Sequence, residues 1–514
     1  MASNALSKIQ HIVVLMLENR SFDMMLGFLY ADEGNKSPSG QPFEGLTGKE
    51  SNPDSKGKSV PIFKIKSTDK NAYFMPGSDP GEGYAPTNCQ LFGNVNAPTP
   101  PVATNKGFVK DFTNTLDWES KKPSWAKEIL PGTVPQNIMG MFTPEMLPVL
   151  SGLARGYAVC DHWYSSVPTE TMPNRAFANA ATSQGHLDDK TKTYTVPSIF
   201  GLLGQNKVSW AIYGYDTKPL TRQNFPDTVS ADNSHFGLFK DFKAAAASGT
   251  LPSYTFLEPA WGSTGNSQHP AGDVAPGEQF IHDVYYALHD GKAWNQTLLI
   301  ITYDEHGGCY DHVAPPSGAV PPDDTPGEFD FDFKRFGVRV PAVLVSPLIA
   351  SGTVFRVPAG TMPLDHTSIL KTVEKRWKLS PLTKRDAAAP DLGNVLTLTT
   401  ARTDDPIKGV KVPKASGKDP AKGQPTHLQQ VHAELVSALP VQDSQGNRTQ
   451  EMPQLRTGED YKAYINSRTE AWEKSRQGAA GSGAQSAKKS TAKKTSHTKQ
   501  KAKKSSKAKK KSAA

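Results

Sequence analysis

Four short apolar runs, each bounded by turn residues, constrain the fold of this chain more than any other feature. Runs of about four to eight apolar, β-branched residues are typical of strands that are buried on both faces of a parallel sheet. Segments with helical spacing separate the runs, for example at residues 280–288 and 368–377. The runs are IVVLML (residues 12–17), SWAIY (209–213), TLLIITY (297–303) and PAVLVS (341–346).

Strands that alternate with helices predict an α/β fold with a mostly parallel central sheet and helices on both faces. The chain has 514 residues and 37% hydrophobic content, which is enough to bury one large core. Segments rich in glycine and proline, at residues 34–104 and 315–327, are predicted to be long loop insertions that lie over the sheet.

The charge of the chain is unevenly distributed. Of the 58 lysines and arginines, 12 lysines fall in residues 477–514, which contain no acidic residue, and this leaves 46 basic against 50 acidic side chains in residues 1–476. A tail of this composition has no large apolar residues to bury and is predicted to be disordered. Two interpretations stay open: a solubilising end, or electrostatic attraction to an anionic membrane or nucleic acid.

The three cysteines are widely spaced and suggest neither a disulfide framework nor a paired zinc motif. The six-residue run 12–17 is far shorter than a membrane span, and no cleavage site follows it. We therefore expect no transmembrane segment and no signal peptide. Cytoplasmic residence is the default expectation, and secretion without a cleavable leader is the alternative.

Two of the predicted strands end in acidic residues. Residues 12–17 run into Glu18 and Asn19, and residues 297–303 run into Asp304 and Glu305. Ligands of α/β sheets collect beyond the carboxyl ends of the strands, and carboxylate and amide oxygens suit Mg²⁺, Ca²⁺ or Mn²⁺. The pattern predicts a divalent cation site. Taken singly, each pair also fits a helix cap or a solvated strand end.

A third element is the segment PTETMPNRAFANAATSQG at residues 168–185. Pro173 suits the first turn of a helix, so Thr169 or Thr171 is predicted at the helix N-terminus. A hydroxyl at that position faces free backbone N–H groups, which favour an alkoxide or a phosphate. The alternative is a simple threonine N-cap.

In combination, several motifs resemble the bacterial phospholipase C and acid phosphatase family, which also includes plant non-specific phospholipases C, within the alkaline phosphatase superfamily. The resemblance spans about residues 8–390 and implies an alkaline-phosphatase-like fold. The motifs are ENRSFD (18–23), TMPNR (171–175), HPAGD (269–273), YDEHGGCYDHV (303–313) and DHTSILKTVEKRW (365–377).

The resemblance implies a phosphoesterase that forms a phosphorylated intermediate on Thr171, with Thr169 as the alternative nucleophile. His269 would bind the phosphoryl oxygens or protonate the leaving alcohol, and His366 would be a further catalytic residue. The other implied site residues are the metal ligands Glu18, Asn19, Asp304 and Glu305, and the substrate-binding residues Glu82, Asn174 and His306. For His306, a scaffolding role in its loop is the alternative.

The chain departs from the family pattern at DPGEGY, where Glu82 stands in the place of an expected histidine. A carboxylate there repels a phosphoryl group unless it is protonated or paired with a cation. This departure favours a choline-like cationic head group or a second cation.

These features predict a catalytic domain over residues 1–400, a helical C-terminal extension packed on it over residues 401–476, and the lysine-rich tail. The main functional hypothesis is a metal-dependent phospholipase C that acts on phospholipid head groups. The alternatives are an acid phosphatase that acts on small phosphate monoesters, and a non-catalytic member of the family that binds polyanions.

Overall fold

The computed structural model describes residues 5–122, 126, 128–190, 192–415, 423–442, 448–449 and 452–476. The predicted disordered tail at residues 477–514 lies outside the described residues. No helix in the described ranges is long and apolar enough to cross a membrane. The three cysteines are buried and free.

The strands divide into one large sheet and several short pairs. The strands of the large sheet are β1 (His11–Leu17), β6 (Ala158–Val159), β8 (Trp210–Gly214), β9 (Phe236–Leu238), β10 (Tyr254–Glu258), β11 (Thr297–Tyr303), β12 (Ala342–Val345) and β13 (Thr353–Val354). The short pairs contain β2 (Ser51–Pro53), β3 (Ser59–Pro61), β4 (Phe63–Lys64), β5 (Gly140–Met141), β7 (Trp163–Tyr164), β14 (Leu364–Asp365), β15 (Val441–Gln442) and β16 (Arg448–Thr449).

The order of the large sheet is β13-β6-β12-β11-β1-β10-β8-β9. Strand β1 lies at its centre and pairs in parallel with β10 and β11. Strands β8, β9, β6 and β13 also make parallel pairs. All residues of β11 are buried, as expected for a strand covered on both faces. The predicted mostly parallel sheet is confirmed.

One predicted strand runs in the opposite direction from its neighbours. Strand β12 is antiparallel to both β11 and β6, whereas the apolar run at residues 341–346 had been assigned to a parallel strand. An apolar run carries no information on direction, because it is buried in the same way whichever way it points. The loop that follows β11 returns to the sheet at the edge where β11 ends. Strand β12 starts at that edge and therefore runs antiparallel to β11.

Helices cover both faces of the sheet. Successive side chains of a strand point to opposite faces, so Trp210 and Tyr213 of β8 mark the two sides. Phe200 packs on Trp210, and Phe242 packs on Tyr213, which places their helices on opposite faces. The helices are α1 (Phe22–Leu26), α2 (Tyr84–Phe92), α3 (Phe108–Ser120), α4 (Pro148–Gly156), α5 (Thr171–Ala180), α6 (Ile199–Gln205), α7 (Pro226–Ser230), α8 (Phe239–Ser248), α9 (Ala275–His289), α10 (Thr367–Trp377), α11 (Lys384–Ala388), α12 (His427–Ser437) and α13 (458–476).

The C-terminal helices α12 and α13 pack directly on the rest of the chain. Leu428 of α12 belongs to a buried apolar cluster with Met172 and Trp261. In α13, Glu473 forms ion pairs with Lys218 and Arg222. Because Met172 directly follows Thr171, this extension supports the start of helix α5.

Candidate active site

The acidic ends of β1 and β11 lie side by side. Leu17 is paired with Tyr303 at the end of the two strands, so the residues that follow leave the sheet at the same edge. The backbone N–H of Asn19 donates to Oδ1 of Asp304 over 3.0 Å. Both residues are fully buried. The convergence of these two strand ends, predicted from the sequence, is therefore present.

Asn19 occupies a tight turn that its neighbours hold in place. Its backbone is left-handed, with φ of 55°. Asparagine tolerates this conformation better than most residues do. Gly307 approaches so closely that a Cβ at this glycine would lie 2.1 Å from the Asn19 carbonyl oxygen. The backbone of Asn19 is thus fixed from two sides, by Asp304 and by Gly307.

Thr171 is the first residue of helix α5 and faces this turn. Its hydroxyl donates to Oδ1 of Asn19 over 3.2 Å. The next residue, Met172, donates its backbone N–H to Oδ1 of Asp189 over 2.6 Å. The hydroxyl of Thr169 instead donates to the carbonyl oxygen of Leu187 over 2.5 Å. Of the two candidate nucleophiles, Thr171 is therefore the one that lies against the strand ends.

The buried side chain of Asn174 organises the segment that precedes α5. Its Oδ1 accepts from the N–H of Val167, and its Nδ2 donates to the carbonyl oxygens of Thr169 and Glu170. These bonds shape the approach to the helix around Thr171. The predicted role of Asn174 in substrate binding stays a prediction.

Arg175, one turn further along α5, pairs with Asp304. Its Nε donates to Oδ2 of Asp304 over 2.8 Å, and Nη2 donates to the carbonyl oxygens of Met16 and Leu17. The guanidinium also lies over the ring of Trp261. Arg175 stands in the quoted TMPNR motif, yet sequence reasoning assigned it no role, because nothing in the local pattern indicates a partner more than 100 residues away.

Three ionisable side chains form the more exposed part of the site. His269, Asp79 and Glu82 have side chains that are 33%, 24% and 21% exposed. The Nδ1 atom of His269 lies 3.8 Å from Asp79, and its Nε2 atom lies 3.8 Å from Oε2 of Glu82. That same carboxylate oxygen accepts from Nδ2 of Asn19 over 2.6 Å. Sequence reasoning had not assigned Asp79.

His306 and His366 are buried and bonded to protein groups. Nε2 of His306 lies 2.6 Å from Oε1 of Gln90, and burial lowers the pKa of this histidine to about 3. His366 accepts from Nε1 of Trp163 at Nδ1, and its Nε2 lies 2.6 Å from the carbonyl oxygen of Asp304. Burial lowers its pKa as well. Both histidines support the loop after β11, and their assigned functional roles stay predictions.

Burial and mutual repulsion raise the pKa of the acidic side chains at the strand ends. Burial raises the pKa of Glu18 to about 7, and nearby Asp304 adds to the effect. Burial and Asp304 also raise the pKa of Glu305 well above its usual value. Oε1 of Glu305 is buried and has no hydrogen-bond partner. An unsatisfied buried carboxylate oxygen suits a hard divalent cation, but in the described residues Glu18, Asp304 and Glu305 do not bring one ligand atom each within 4.8 Å of one another.

The pKa of His269 is raised as well, because its acidic neighbours outweigh the effect of burial. Burial alone would lower its pKa, but Asp79, Glu18 and Glu82 outweigh burial and raise the pKa to about 9. Burial and its acidic neighbours also raise the pKa of Glu82. A pKa of about 9 keeps His269 protonated near neutral pH, and its predicted catalytic role stays a prediction.

Two groups of three ionisable residues have potential ligand atoms within 4.8 Å of one another in the described ranges. The first is Asp79, Glu82 and His269, at the site itself. The second is Asp23, Asp311 and His312, where Arg339 donates to both carboxylates and already balances their charge. Neither group contains a predicted ligand from the two strand ends.

Comparison with known proteins agrees with this chemistry. The family model described as Phosphoesterase family matches residues 9–380. Non-specific phospholipase C6 of Arabidopsis thaliana is 37% identical over 428 residues, which cover 78% of this chain and 75% of that protein. Non-specific phospholipase C3 of the same organism is 34% identical over 466 residues, which cover 85% of this chain and 82% of that protein. Phospholipase C A of Mycobacterium tuberculosis is 28% identical over 429 residues, which cover 72% of this chain and 73% of that protein.

Solved structures resemble the chain only weakly. A phosphonate monoester hydrolase of Agrobacterium radiobacter has 14% sequence identity and a TM-score of 0.29, over 49% of this chain and 72% of that chain. A similarity this low gives no information about the residues of the present site.

A hydroxyl at a helix N-terminus, acidic strand ends and a protonated histidine suit the cleavage of phosphate esters, and the sequence matches agree. The protein is a hydrolase that acts on phosphoester bonds. The chain belongs to the Phosphoesterase family, with the matched region covering the whole central sheet.

Proposed function

We propose that this protein is a phospholipase C that cleaves phospholipid head groups through a phosphorylated Thr171. The observation that carries the proposal is the 3.2 Å hydrogen bond from the Thr171 hydroxyl to Asn19, which brings the start of α5 against the acidic strand ends. The similar proteins named phospholipase C, from a plant and a bacterium, support the substrate class.

In the first half-reaction, Oγ1 of Thr171 forms a bond to phosphorus as the bond from phosphorus to the glycerol oxygen breaks. The threonine proton, which the hydroxyl donates to Oδ1 of Asn19 before the attack, is released to solvent, and His269 gives a proton to the leaving alcohol. In the second half-reaction, water attacks the phosphothreonine and releases the phosphorylated head group. Thr171 recovers its proton as His269 takes one from the water.

The residues that would hold a divalent cation are Glu18, Asn19, Asp304 and Glu305. When bound, such an ion would favour the ionised threonine and offset the charge of the phosphate. Arg175 orients Asp304 through its bond to Oδ2. The N-terminus of α5 adds the positive end of the helix dipole at Thr171.

The exposed side of the site favours a substrate that brings positive charge. Asp79 and Glu82 place two carboxyl groups beside His269 there, and burial and the acidic neighbours raise the pKa of Glu82. The ammonium of a zwitterionic head group such as phosphocholine would favour the ionised form of these carboxyl groups and pair with it. A phosphate monoester brings only negative charge and is expected to be the poorer substrate.

The test is to offer purified protein phosphatidylcholine, p-nitrophenylphosphorylcholine and p-nitrophenyl phosphate, with and without EDTA. We expect turnover of both diesters, and we expect EDTA to abolish it and Mg²⁺, Ca²⁺ or Mn²⁺ to restore it. Turnover of the monoester alone would instead identify an acid phosphatase. No turnover of any substrate would identify a non-catalytic binding protein.

Matched variants assign the nucleophile. Thr171→Ala is expected to abolish turnover, because it removes the hydroxyl that lies against Asn19. Thr169→Ala removes a similar buried hydroxyl that bonds to Leu187 and is expected to retain turnover. The reverse result, with Thr169 essential and Thr171 dispensable, would refute the assignment.

A further inference from the structure

Phe329 is a highly exposed aromatic residue in a strained turn. It is 72% exposed, and its backbone is left-handed, with φ of 56°. The next residue, Asp330, repeats this conformation with φ of 54°. A single exposed apolar residue is common, but a bulky residue keeps a left-handed backbone only where the surrounding structure enforces it. Folding alone does not explain a phenylalanine here, because the strain is not offset by burial of the ring.

The turn that carries Phe329, residues 327–331, is firmly anchored. The carboxylate of Glu328 accepts from the backbone N–H of Leu187 over 2.8 Å and forms an ion pair with Lys192 over 3.0 Å. The backbone N–H of Glu328 donates to the carbonyl oxygen of Gly185 over 2.8 Å. These bonds fix the base of the turn on an anchor segment, residues 185–189, and leave the ring of Phe329 at the tip.

The anchor segment also contacts both sides of the proposed nucleophile. The carbonyl oxygen of Leu187 accepts from the hydroxyl of Thr169, which precedes Thr171 by two residues. Oδ1 of Asp189 accepts from the backbone N–H of the residue that follows Thr171. The position of Phe329 is therefore tied to the segment that presents the Thr171 hydroxyl.

The ring of Phe329 stacks on Tyr84, with the ring centroids 5.5 Å apart and the planes 9° from parallel. Tyr84 begins helix α2 and follows Glu82, on the exposed side of the site, by two residues. The Tyr84 hydroxyl accepts from Nη2 of Arg335 over 2.8 Å, which fixes the ring that supports Phe329. The two stacked rings, Tyr84 and Phe329, thus form an aromatic rim beside the mouth of the site.

The charges around this aromatic rim are largely paired. Three lysines each form an ion pair with an acidic residue: Lys190 with Asp188, Lys192 with Glu328, and Lys334 with Asp332. Asp330, next to Phe329, is exposed and adds a further carboxylate. This surface does not favour an anionic membrane. It suits a surface whose outermost charges are ammonium groups, as in phosphatidylcholine.

We propose that the aromatic rim is the contact through which the enzyme binds a zwitterionic phospholipid surface, with Phe329 entering the boundary between head groups and acyl chains. The inference rests on the proposed function, which supplies a substrate that is part of such a surface. Aromatic side chains are favoured at this boundary. With Phe329 inserted there, the adjacent site lies at the level of the head groups, where the phosphate to be cleaved is found.

The first test is Phe329→Asn, assayed on phosphatidylcholine vesicles and on soluble p-nitrophenylphosphorylcholine. Asparagine tolerates the left-handed backbone and removes the apolar ring. At low vesicle concentration we expect turnover of the vesicles to fall about 10-fold, the lower end of the effect of burying a phenylalanine side chain. Turnover of the soluble diester should stay nearly unchanged, which also shows that the variant is folded. Equal losses on the two substrates, or no loss on vesicles, would overturn the inference.

Val102→Asn is the matched control for general surface hydrophobicity. Val102 is 67% exposed, but it follows the opposite end of helix α2 from Tyr84. We expect Val102→Asn to retain turnover of both substrates. A loss of vesicle turnover equal to that of Phe329→Asn would show that no particular surface is used, and would overturn the inference.

Phe329→Trp measures insertion without measuring turnover. Tryptophan preserves an aromatic ring at the tip of the turn, and its emission is quenched when bromine atoms on the acyl chains of phosphatidylcholine come close. High salt screens the lysine-rich tail during the measurement. We expect the variant to keep vesicle turnover and to show more quenching than the natural protein. Quenching no greater than that of the natural protein would place residue 329 outside the lipid and overturn the inference.

The failure of this inference is distinguishable from the failure of the proposed function. Full activity of Thr171→Ala, or no diester turnover by the natural protein, would remove the proposed function, while quenching in Phe329→Trp would still report lipid contact. An inactive Thr171→Ala together with full vesicle turnover by Phe329→Asn would overturn the role of Phe329 alone.

Discussion

Arg175 and Asp304 form a buried ion pair that joins helix α5 to the end of β11. Nε of Arg175 lies 2.8 Å from Oδ2 of Asp304, and the side chains are 2% and 0% exposed. The other oxygen of Asp304 accepts from the backbone N–H of Asn19. Through Asp304, the helix that carries Thr171 is held to the turn that carries Asn19.

Removal of Arg175 is expected to cost much more stability than removal of a surface cation. Arg175→Ala leaves a buried carboxylate without its partner, which costs about 3–5 kcal/mol. Lys121→Ala is the control, since Lys121 and Asp117 are 70% and 64% exposed. Its cost is about 0.5 kcal/mol or less. Urea unfolding at neutral pH measures both values, and similar losses would show that the Asp304 pair contributes little.

A methyl group at Gly307 is expected to disturb the Asn19 turn. The added Cβ would lie 2.1 Å from the Asn19 carbonyl oxygen, and φ at Gly307 is +59°. Gly307→Ala should lower both activity and the midpoint of thermal unfolding. Gly318→Ala is the control, because its φ is also positive but no atom lies within 4 Å of the added Cβ. Gly318→Ala should retain activity at a cost of about 1–2 kcal/mol from its positive φ, and equal behaviour of the two variants would argue against a close approach at Gly307.

The pattern of short apolar runs was sufficient to predict the sheet and the meeting of its acidic ends. The strand predicted at residues 12–17 is observed as β1 (His11–Leu17). Because β1 and β11 are parallel neighbours, Asn19 and Asp304 lie at the same edge of the sheet. The direction of β12 was not predictable, because burial does not encode direction. The pairing of Arg175 with Asp304 and the position of Asp79 depend on tertiary contacts between distant segments, for which local patterns carry no signal.

Glu278 is expected to make stability depend on pH. It is buried and accepts from the backbone N–H groups of Val149 and Leu150 at the start of α4, and burial raises its pKa from 4.5 to about 7. Between these values the folded state keeps a proton that the unfolded state releases, so stability falls as pH rises. The fall amounts to about 3 kcal/mol.

Glu278→Gln tests this contribution because glutamine does not ionise. As pH rises from 4.5 to about 7, the free energy of unfolding of the variant should increase relative to that of the natural protein. Outside this range, the difference between the two proteins should stay constant. Urea unfolding at a series of pH values measures the difference between the two proteins. A difference that is constant across this range would show that Glu278 does not titrate differently on folding.

Deletion of the lysine-rich tail is expected to separate membrane attraction from catalysis. Residues 477–514 carry 12 lysines and no acidic residue, and each lysine contributes about 1 kcal/mol near an anionic surface. The shortened protein should lose salt-sensitive binding to phosphatidylserine vesicles but keep its turnover of p-nitrophenylphosphorylcholine. A full-length variant with glutamine in place of these lysines is the control for chain length, and retained binding in that variant would exclude an electrostatic role.

The central claim is that Thr171 carries the phosphoryl group between the two half-reactions. The most direct measurement is acid quenching of the enzyme during turnover of p-nitrophenylphosphorylcholine, followed by mass spectrometry of its peptides. We predict a head-group phosphoryl adduct on Thr171 in the natural protein, and none in Thr171→Ala. An adduct on another residue, or rapid turnover with no adduct at any quench time, would contradict the account.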